Sequence, residues 1–432
     1  MPAVARHLAS GLPSTSLPCR PSRLECLMFA LSRATLSTGI ASLLLTLAST
    51  VGLAPGNVQA QAPAAAGSPA AGLKTALFDG QTLAGWTIEG DCQAAVVDGL
   101  LVLQQGNGWL RSDLMFRDFD LHVEWKAIKS ADYDSGIYIR TLSGGTPFPR
   151  ESYQINLLDG AEGNCKQLKE TVGTKGKIRR GEWNSFDISV RKETVSLSIN
   201  GEPVYRVAGL KDREGHIGLQ CEVDKGGQFQ FRNITVTEPG FKSLFNGTDL
   251  TGWEGGGEDA ALCWKVEPES RQLVCTGAKG PWLKSAAEYG NFDLRFEYQV
   301  SGGGNSGVYV RVPADGNHHR ENDTLPPAGF EVQLLDDAAP QYATLKDYQY
   351  SASVYDICGA SPRVCRPAGQ WNTLRLRCEG QTVQVWHNGV AVVNVTEATH
   401  PLIALRKTTG FLGLQNHSTE VRFRNIRLAP LP

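Results

Sequence analysis

The sequence of 432 residues predicts an all-β protein made of two tandem antiparallel β-sandwiches of the jelly-roll type. Long stretches of it occur twice, in the same order. Leu77-Phe-Asp-Gly-Gln-Thr-Leu-Ala-Gly-Trp86 returns as Leu244-Phe-Asn-Gly-Thr-Asp-Leu-Thr-Gly-Trp253, and Phe119-Asp-Leu-His-Val-Glu returns as Phe292-Asp-Leu-Arg-Phe-Glu. A repeat of this length indicates duplication of a whole domain rather than a short solenoid repeat.

The repeated segments continue to the C-terminus. Further matching pairs are Trp109-Leu-Arg-Ser with Trp282-Leu-Lys-Ser, Ser135–Arg140 with Ser306–Arg311, Gly181-Glu-Trp-Asn with Gly369-Gln-Trp-Asn, Gly218-Leu-Gln with Gly413-Leu-Gln, and Phe231-Arg-Asn-Ile with Phe423-Arg-Asn-Ile. Features that both copies keep are expected to serve the fold. Features that only one copy keeps are candidates for function.

Two local patterns predict the strands. The segments Phe119–Trp125 and Phe292–Tyr298 alternate apolar and polar residues, as a strand with one buried face does. Asn200-Gly201 and Asn388-Gly389 each separate two such runs, and Asn-Gly accepts the positive φ values that a two-residue hairpin requires. Because no long helical period occurs outside the N-terminal leader, these patterns favour antiparallel sandwiches.

The N-terminal region has the composition of an export signal. Three arginines precede the apolar stretch Ile40–Leu53, which is too short to span a membrane, and Val58-Gln-Ala60 resembles a cleavage site. We therefore expect a leader over residues 1–60, a flexible linker over 61–72, a first sandwich over 73–239 and a second over 240–432. This organisation predicts a protein exported to a bacterial periplasm or beyond.

The composition of the sequence argues against several classes of binding partner. The formal net charge is −2, which gives no electrostatic basis for binding nucleic acid or an anionic membrane. The sequence contains no predicted membrane span, no cofactor motif and no cysteine spacing typical of a zinc site. Eight cysteines follow the leader, and an even number in an oxidising compartment favours disulfides. Cys263 with Cys275 is the pair best supported, and Cys358 with Cys365 is a second candidate.

Polar side chains on two strands of the second copy predict a carbohydrate-sized groove. Since side chains alternate along a strand, Tyr309 and Arg311 are expected on one face of Ser306–Arg311. Glu331 and Gln333 are expected together on one face of the strand that follows. These four, beside the loop that ends at Asn305, are more than a solvated outer face requires.

The first copy retains part of this set and loses the rest. Gln154 stands where the second copy has Glu331, so a carboxylate becomes an amide. The motif that ends in His417 has no histidine in the first copy, and Ala352–Ile357 has no counterpart there. We therefore expect chemistry in the second copy and binding or support in the first. His318 and His319 lie in a polar loop and are expected to be solvated.

These motifs together resemble the 3-keto-disaccharide hydrolase domain family. The segments that carry the resemblance are Leu-Phe-Asn-Gly-x-x-Leu-x-Gly-Trp253, Gly-Asn-Ser-Gly-Val-Tyr-Val-Arg311, Phe-Glu-Val-Gln-Leu-Leu-Asp336, Val-Tyr-Asp356, Gly-x-Trp-Asn372, Trp-His-Asn-Gly389 and Gly-Leu-Gln-Asn-His417 followed by Phe-Arg-Asn-Ile426. The resemblance covers nearly all of 240–432 and, more loosely, 73–239. It implies a concanavalin A-like jelly roll acting on glycosides whose sugar ring carries a ketone at C3.

A 3-keto substrate would need only one carboxylate. The ketone acidifies the hydrogen on C2, so a single base can remove it and the C1 substituent can leave by elimination, with water adding afterwards for net hydrolysis. The residues predicted to take part are Glu331 as base, Arg311 with Gln333 or Asn305 at the enolate oxygen, His417 or Tyr355 as proton donor, Trp282 stacking on the sugar, and Tyr309 and Gln415 binding substrate.

Two other functions are compatible with this sequence. The fold alone is equally compatible with two lectin-like modules that hold a glycan without cutting it, because sandwiches of this kind host both functions. A direct endo-glucanase is disfavoured, since ordinary glycosidases use two carboxylates across the scissile bond. Turnover of a 3-keto-glucoside but not of its unoxidised parent separates the three.

Overall fold

The computed structural model describes residues 72–169, 171, 177–223 and 228–432. The predicted leader and nearly all of the predicted linker lie outside these ranges. Regular structure within them consists of β-strands and short 3-10 helices, with no α-helix. No helix in the described part of the chain is long and apolar enough to cross a membrane.

The first half of the described chain forms two sheets. Its strands are β1 (Gly72–Ala76), β2 (Trp86–Gly90), β3 (Gln93–Val97), β4 (Leu100–Gln105), β5 (Asn107–Phe116), β6 (Phe119–Ala127), β7 (Gly136–Thr141), β8 (Tyr153–Asn156), β9 (Asn184–Arg191), β10 (Thr194–Ile199), β11 (Glu202–Ala208), β12 (Gly215–Glu222) and β13 (Phe229–Pro239). The larger sheet has the order β11-β10-β9-β6-β13-β4-β3, with β1 also on β13, and the smaller has the order β2-β5-β12-β7-β8.

The second half repeats this arrangement. Its strands are β14 (Lys242–Ser243), β15 (Trp253–Gly255), β16 (Trp264–Glu267), β17 (Gln272–Thr276), β18 (Leu283–Tyr289), β19 (Phe292–Val300), β20 (Asn305–Val312), β21 (Phe330–Leu335), β22 (Asn372–Glu379), β23 (Thr382–His387), β24 (Val390–Val395), β25 (Gly410–Leu414) and β26 (Glu420–Pro430). Short 3-10 helices span Ala260–Leu262, Pro340–Tyr342, Asp347–Gln349 and Pro401–Leu405.

The sheet orders of the two halves correspond strand for strand. The larger sheet of the second half runs β24-β23-β22-β19-β26-β17-β16 with β14 on β26, and the smaller runs β15-β18-β25-β20-β21. Strand pairing in all four sheets is antiparallel. In each half, apolar side chains of both sheets form one buried core. The prediction of an all-β protein with two antiparallel sandwiches is confirmed.

The alternation along β6 and the two Asn-Gly pairs predicted the strand and the turns correctly. Along β6, residues alternate strictly between buried and partly exposed, so the apolar face packs on the core. Asn200 and Asn388 have φ values of 52° and 48°, and the glycines after them have 82° and 80°. These angles match the mirror-image turns that join tight hairpins, and each pair links two adjacent strands of the larger sheet.

The corresponding strand of the second half is buried on both faces. Asp293 and Arg295 of β19 are 5% and 3% exposed, although the alternation predicts that they face water. They lie against the first half, where Arg295 pairs with Glu238 at 2.5 Å. Arg375, from β22, contacts Asp293 at 2.6 Å and Glu214 at 2.8 Å. Buried charges that are paired across this contact join the two sandwiches.

The predicted disulfide between Cys263 and Cys275 is wrong. All eight cysteines that follow the leader are free thiols in the structure, including Cys358 and Cys365. Cys275 lies opposite Trp264 in the β16–β17 hairpin, and Cys263 instead accepts the backbone N–H of Thr276. The register is therefore shifted by one residue from the symmetric arrangement that the spacing suggested, so Cys263 and Cys275 are not opposed in the hairpin.

Candidate active site

The candidate site lies at the β20–β21 edge of the smaller sheet in the second half. These strands pair directly, with Tyr309 opposite Glu331 and Gly307 opposite Gln333. A cleft of about 180 Å³ opens over this pair. The residues that line it are Asn305, His318, His319, Glu331, Gln333, Tyr355, Gln415 and His417. Six of these eight are among the residues predicted from the sequence.

Glu331 is the least solvated ionisable group of the cleft. It is 3% exposed, and its Oε1 has no hydrogen-bond partner. Loss of hydration, with a smaller contribution from the charge of Asp356, raises the pKa of Glu331 to about 8. The carboxyl lies over Gly307, where an added Cβ would be 1.8 Å from Oε1. Glycine at that position therefore makes room for the acid.

His318 and His319 are in the cleft wall, which the sequence reasoning missed. They belong to the 313–329 connection between β20 and β21, which is longer than the equivalent 142–152 connection of the first half. The His318 side chain is 16% exposed, its ring stacks on Tyr309 at 4.4 Å, and its Nε2 is 3.4 Å from Glu331 Oε2. His319 is half-exposed, so the prediction of solvation holds in part for it and is wrong for His318.

The segment around Val354 forms the facing wall. The expectation that it has no counterpart in the first half is wrong, because Cys165 bridges to Ile155 there as Val354 bridges to Val332. Val354 bridges to Val332, and the Tyr355 N–H donates to the Glu331 carbonyl at 2.9 Å. The Tyr355 hydroxyl accepts from the Gln349 amide at 2.8 Å. Asp356 contacts His319 Nδ1 at 2.7 Å, which ties this segment to the histidine-bearing loop.

Amides cover the remaining wall, and two of their oxygens have no protein donor. Gln415 donates through Nε2 to the Tyr309 hydroxyl at 3.1 Å, while its Oε1 is buried and unpartnered. Asn305 Oδ1 is likewise buried without a partner. Together with Glu331 Oε1, the cleft presents three acceptor atoms that lack donors. Buried polar atoms are nearly always hydrogen-bonded, so these three favour a ligand rich in hydroxyl groups.

Trp282 and His417 lie at the margins of the cleft. The Trp282 ring meets Tyr309 edge-on at 5.4 Å and fills the space beside Gly256 and Gly413, so it buttresses Tyr309 and is not itself a lining residue. His417 follows β25 and is exposed at the rim of the cleft.

Arg311 lies outside the cleft, and its predicted place beside Tyr309 is wrong. The pairing of β20 with β25 shifts register between Tyr309 and Val312, and Arg311 has φ of 53°. This bulge turns the side chain away from the groove face. The guanidinium is 1% exposed and donates to the carbonyls of Gly290 at 2.9 Å and Gly380 at 2.6 Å.

The first half has the same bulge with the same arginine. Arg140 has φ of 45°, is fully buried and donates to the carbonyls of Arg117, Lys192 and Lys211. Arg311 and Arg140 are therefore shared elements of the fold. This agrees with the expectation that features common to both copies serve structure.

The groove of the first half is closed by its own hydrogen bonds. Gln154, in the place of Glu331, donates to Gln220 Oε1 at 2.6 Å, and Gln220 donates to Glu222 at 2.9 Å. Trp109 and Tyr138 repeat the edge-on pair of Trp282 and Tyr309, at 5.7 Å. The aromatic frame is thus common to both halves, whereas the unpartnered carboxyl oxygen of Glu331 is replaced in the first half by the hydrogen-bonded amide of Gln154.

A second cleft of about 160 Å³ lies where the two halves meet. Both of its carboxylates are already paired, since Arg424 contacts Glu297 at 2.6 Å and Asp79 at 3.4 Å. It therefore lacks the unpartnered acid that distinguishes the first cleft. Among the residues that the structure describes, no group of three or more His, Cys, Asp or Glu side chains is placed to hold a metal ion.

A single family profile matches both halves of the chain. The family profile described as 3-keto-alpha-glucoside-1,2-lyase-like domain matches residues 74–237 and 240–429. A 3-keto-disaccharide hydrolase of Bacteroides thetaiotaomicron is 29% identical over 243 residues, which is 48% of this chain and 84% of that protein. A crystal structure from Parabacteroides distasonis ATCC 8503, named a "putative glycosyl hydrolase", is 25% identical with a TM-score of 0.37, covering 45% of this chain and 94% of that one.

Proposed function

Because the chain belongs to the 3-keto-alpha-glucoside-1,2-lyase-like domain family, we propose that it is an exported enzyme that cleaves 3-keto-glycosides, including 3-keto-disaccharides. The observation that carries the proposal is the Glu331 carboxyl, which is desolvated, lacks a hydrogen-bond partner at Oε1 and faces a cleft lined by amide, imidazole and phenol side chains. Desolvation makes a carboxylate more basic, as removal of a carbon-bound proton requires.

The cleft supplies one free acid, which suits elimination better than ordinary glycoside hydrolysis. Two carboxylates near Glu331 are engaged elsewhere. Asp356 contacts His319, and Asp336 accepts the Gly303 N–H at 2.9 Å. A glycosidase of the usual kind needs a second carboxyl group as acid or nucleophile. A ketone at C3 removes that need, because it stabilises the charge left when one base takes the C2 proton.

The lining residues divide into roles on this scheme. Glu331 takes the C2 proton. The amides of Asn305 and Gln333 stabilise the enolate oxygen, now without Arg311. Gln415 holds sugar hydroxyls and is positioned by its hydrogen bond to Tyr309, which lies behind the lining, and Tyr355 or His417 is within the cleft to protonate the leaving oxygen. Preorganised donors of this kind commonly contribute a factor of about 10² to 10³ each.

The two halves have different tasks in this proposal. The second (240–432) carries the chemistry, and the first (73–239), with its closed Gln154–Gln220–Glu222 chain, binds glycan or supports its twin. Export rests on the leader composition of residues 1–60.

The test compares a 3-keto-glucoside with its unoxidised parent, using wild type and Glu331→Gln. Wild type is expected to release the aglycone from the ketone alone, and the variant to lose at least a hundredfold. Gln occupies the same position in the first half, so the substitution fits the fold. Turnover of the parent would indicate a glucanase, and binding without turnover would indicate the lectin-like alternative. Undiminished activity of Glu331→Gln would exclude this residue as base.

A further inference from the structure

The hydrogen bonds of His318 define which of its ring nitrogens carries the proton. Nδ1 lies 3.0 Å from the Gly316 carbonyl, which can only accept, so the network assigns the proton of the neutral ring to Nδ1. Nε2 then presents a lone pair, and it lies 3.4 Å from Glu331 Oε2. The ring is held there by stacking on Tyr309.

The contact between Glu331 Oε2 and His318 Nε2 is stable when the two atoms share a single proton. A carboxylate and an unprotonated Nε2 would oppose two lone pairs, while a protonated acid and an imidazolium would crowd two protons into one contact. Burial disfavours the charged form of both groups. It raises the pKa of Glu331 and lowers the pKa of His318, so each neutral form is favoured. The substrate-free pair is a carboxylic acid facing a neutral imidazole.

We propose that His318 is a catalytic residue, the proton donor to the leaving-group oxygen, and that it forms with Glu331 a dyad which holds a single shared proton before and after each turnover. This rests on the proposed function, because it assigns the acid for the same elimination. His318 thereby replaces Tyr355 and His417 as donor. Both members of the dyad line one cleft, so one sugar ring can contact both.

The step balances in protons and electrons. The reactive arrangement of the dyad is carboxylate and imidazolium. Glu331 takes the C2 proton, and the C–H electron pair moves into an enolate at O3. As the ketone re-forms, the C1=C2 bond forms, the C1–O bond breaks and the leaving oxygen takes the Nε2 proton of His318. The remaining proton, on Glu331, returns to Nε2 across their contact.

Other charged and titratable groups face His318 from each neighbouring element. These are His319 on its own loop, Glu331 on β21, Tyr309 on β20, Tyr355 and Asp356 on the facing segment, Arg406 after the last 3-10 helix and His417 after β25. Arg406 and His319 disfavour a positive His318, whereas Asp356 favours it. Asp356 is thus the group that supports the transient imidazolium.

The experiment uses two substrates of the same anomer that differ in the need for acid assistance. p-Nitrophenyl 3-keto-glucoside releases a stable phenolate, whereas methyl 3-keto-glucoside must release a protonated alcohol. His318→Gln is expected to lose about 10² to 10⁴-fold in kcat on the methyl substrate and less than about tenfold on the nitrophenyl one. His417→Gln is expected to show no such difference between substrates.

The outcomes separate this proposal from the one on which it rests. Equal losses on both substrates in His318→Gln, or a selective loss in His417→Gln instead, would overturn the dyad. Full activity of Glu331→Gln on the nitrophenyl substrate would exclude Glu331 as base, whereas failure of wild type to cleave either 3-keto-glucoside would overturn the proposed function itself. Imidazole added to His318→Ala should restore the methyl substrate selectively.

Wild type alone gives a further readout that needs no variant. With a one-proton dyad, the rate on the methyl substrate falls above about pH 8, where Glu331 loses its proton with His318 already neutral. The nitrophenyl rate is sustained there, because the base remains available. A methyl-substrate rate that keeps rising above that pH would contradict the dyad.

Discussion

Substituting Glu331 by Gln should change the pH dependence of stability in a way that reports on desolvation. The folded protein raises the pKa of Glu331 from 4.5 to about 8, because the carboxyl is buried without a donor at Oε1. The folded state therefore holds a proton that the unfolded chain releases. As pH rises from about 4.5 to about 8, the free energy of unfolding of wild type falls. The glutamine variant has no proton to lose at this position.

The size of the effect follows from the shift. One pKa unit corresponds to roughly 1.4 kcal/mol, so the rise of the Glu331 pKa from 4.5 to about 8 gives about 5 kcal/mol. Urea unfolding of both proteins at intervals from about pH 4 to about pH 9 measures it. The free energy of unfolding of the variant, less that of wild type, is expected to increase by about 5 kcal/mol across this window, because the titrations of groups away from Glu331 cancel in the difference.

A matched control comes from the first half. Gln154→Glu places a carboxyl over Gly136, where an added Cβ would meet the Gln154 side chain at 2.4 Å, just as Gly307 does with Glu331. It should introduce a slope of the opposite sign, smaller because Gln154 is half-buried. The reasoning would be refuted if the free energies of unfolding of Glu331→Gln and wild type differed by a constant amount, within about 1 kcal/mol, from acid to alkaline pH. Glu331 would then titrate like a hydrated carboxylate.

Three more substitutions test the site and its frame. Gly307→Ala should displace the Glu331 carboxyl and cost about a hundredfold in kcat, whereas Gly136→Ala should leave turnover intact; equal effects would contradict the role of Gly307. Arg311→Ala should destabilise the fold by about 3 kcal/mol in urea without changing KM, and a rise in KM at unchanged stability would restore Arg311 to the site. Arg375→Ala leaves Asp293 without its closest partner and should cost about 3 to 5 kcal/mol; a loss below about 1 kcal/mol would show that the buried contact between the sandwiches contributes little.

Much of the fold follows from sequence because it depends on periodic patterns. Alternation along Phe119–Trp125 and the two Asn-Gly turns are local signals, and each is repeated in the second half. The equivalent strand Phe292–Tyr298 shows the limit of such signals. Its polar face is buried against the other sandwich, and nothing within the strand indicates that Asp293 and Arg295 have partners far away in sequence.

The site was predicted where strand geometry decides it, and missed where a bulge or a loop does. Glu331 and Gln333 share a regular strand, so alternation placed both correctly in the cleft. Arg311 lies beyond a bulge, and one extra residue reverses the face of everything after it. His318 lies in a connection without periodicity. The greater length of that connection in the second half was the available signal, since long loops on a rigid frame often carry function.

The fate of the C2 hydrogen tests the central claim most directly. A 3-keto-glucoside carrying deuterium at C2 is incubated with the protein in ordinary water, and the sugar product is examined early by mass spectrometry beside authentic 3-keto-glucose of the same labelling kept in the same buffer. If Glu331 removes the C2 proton, the released sugar has lost its deuterium, while the buffer control keeps it. A sugar released with its C2 deuterium in place would mean that the glycosidic bond breaks without proton abstraction, and the elimination mechanism would be wrong.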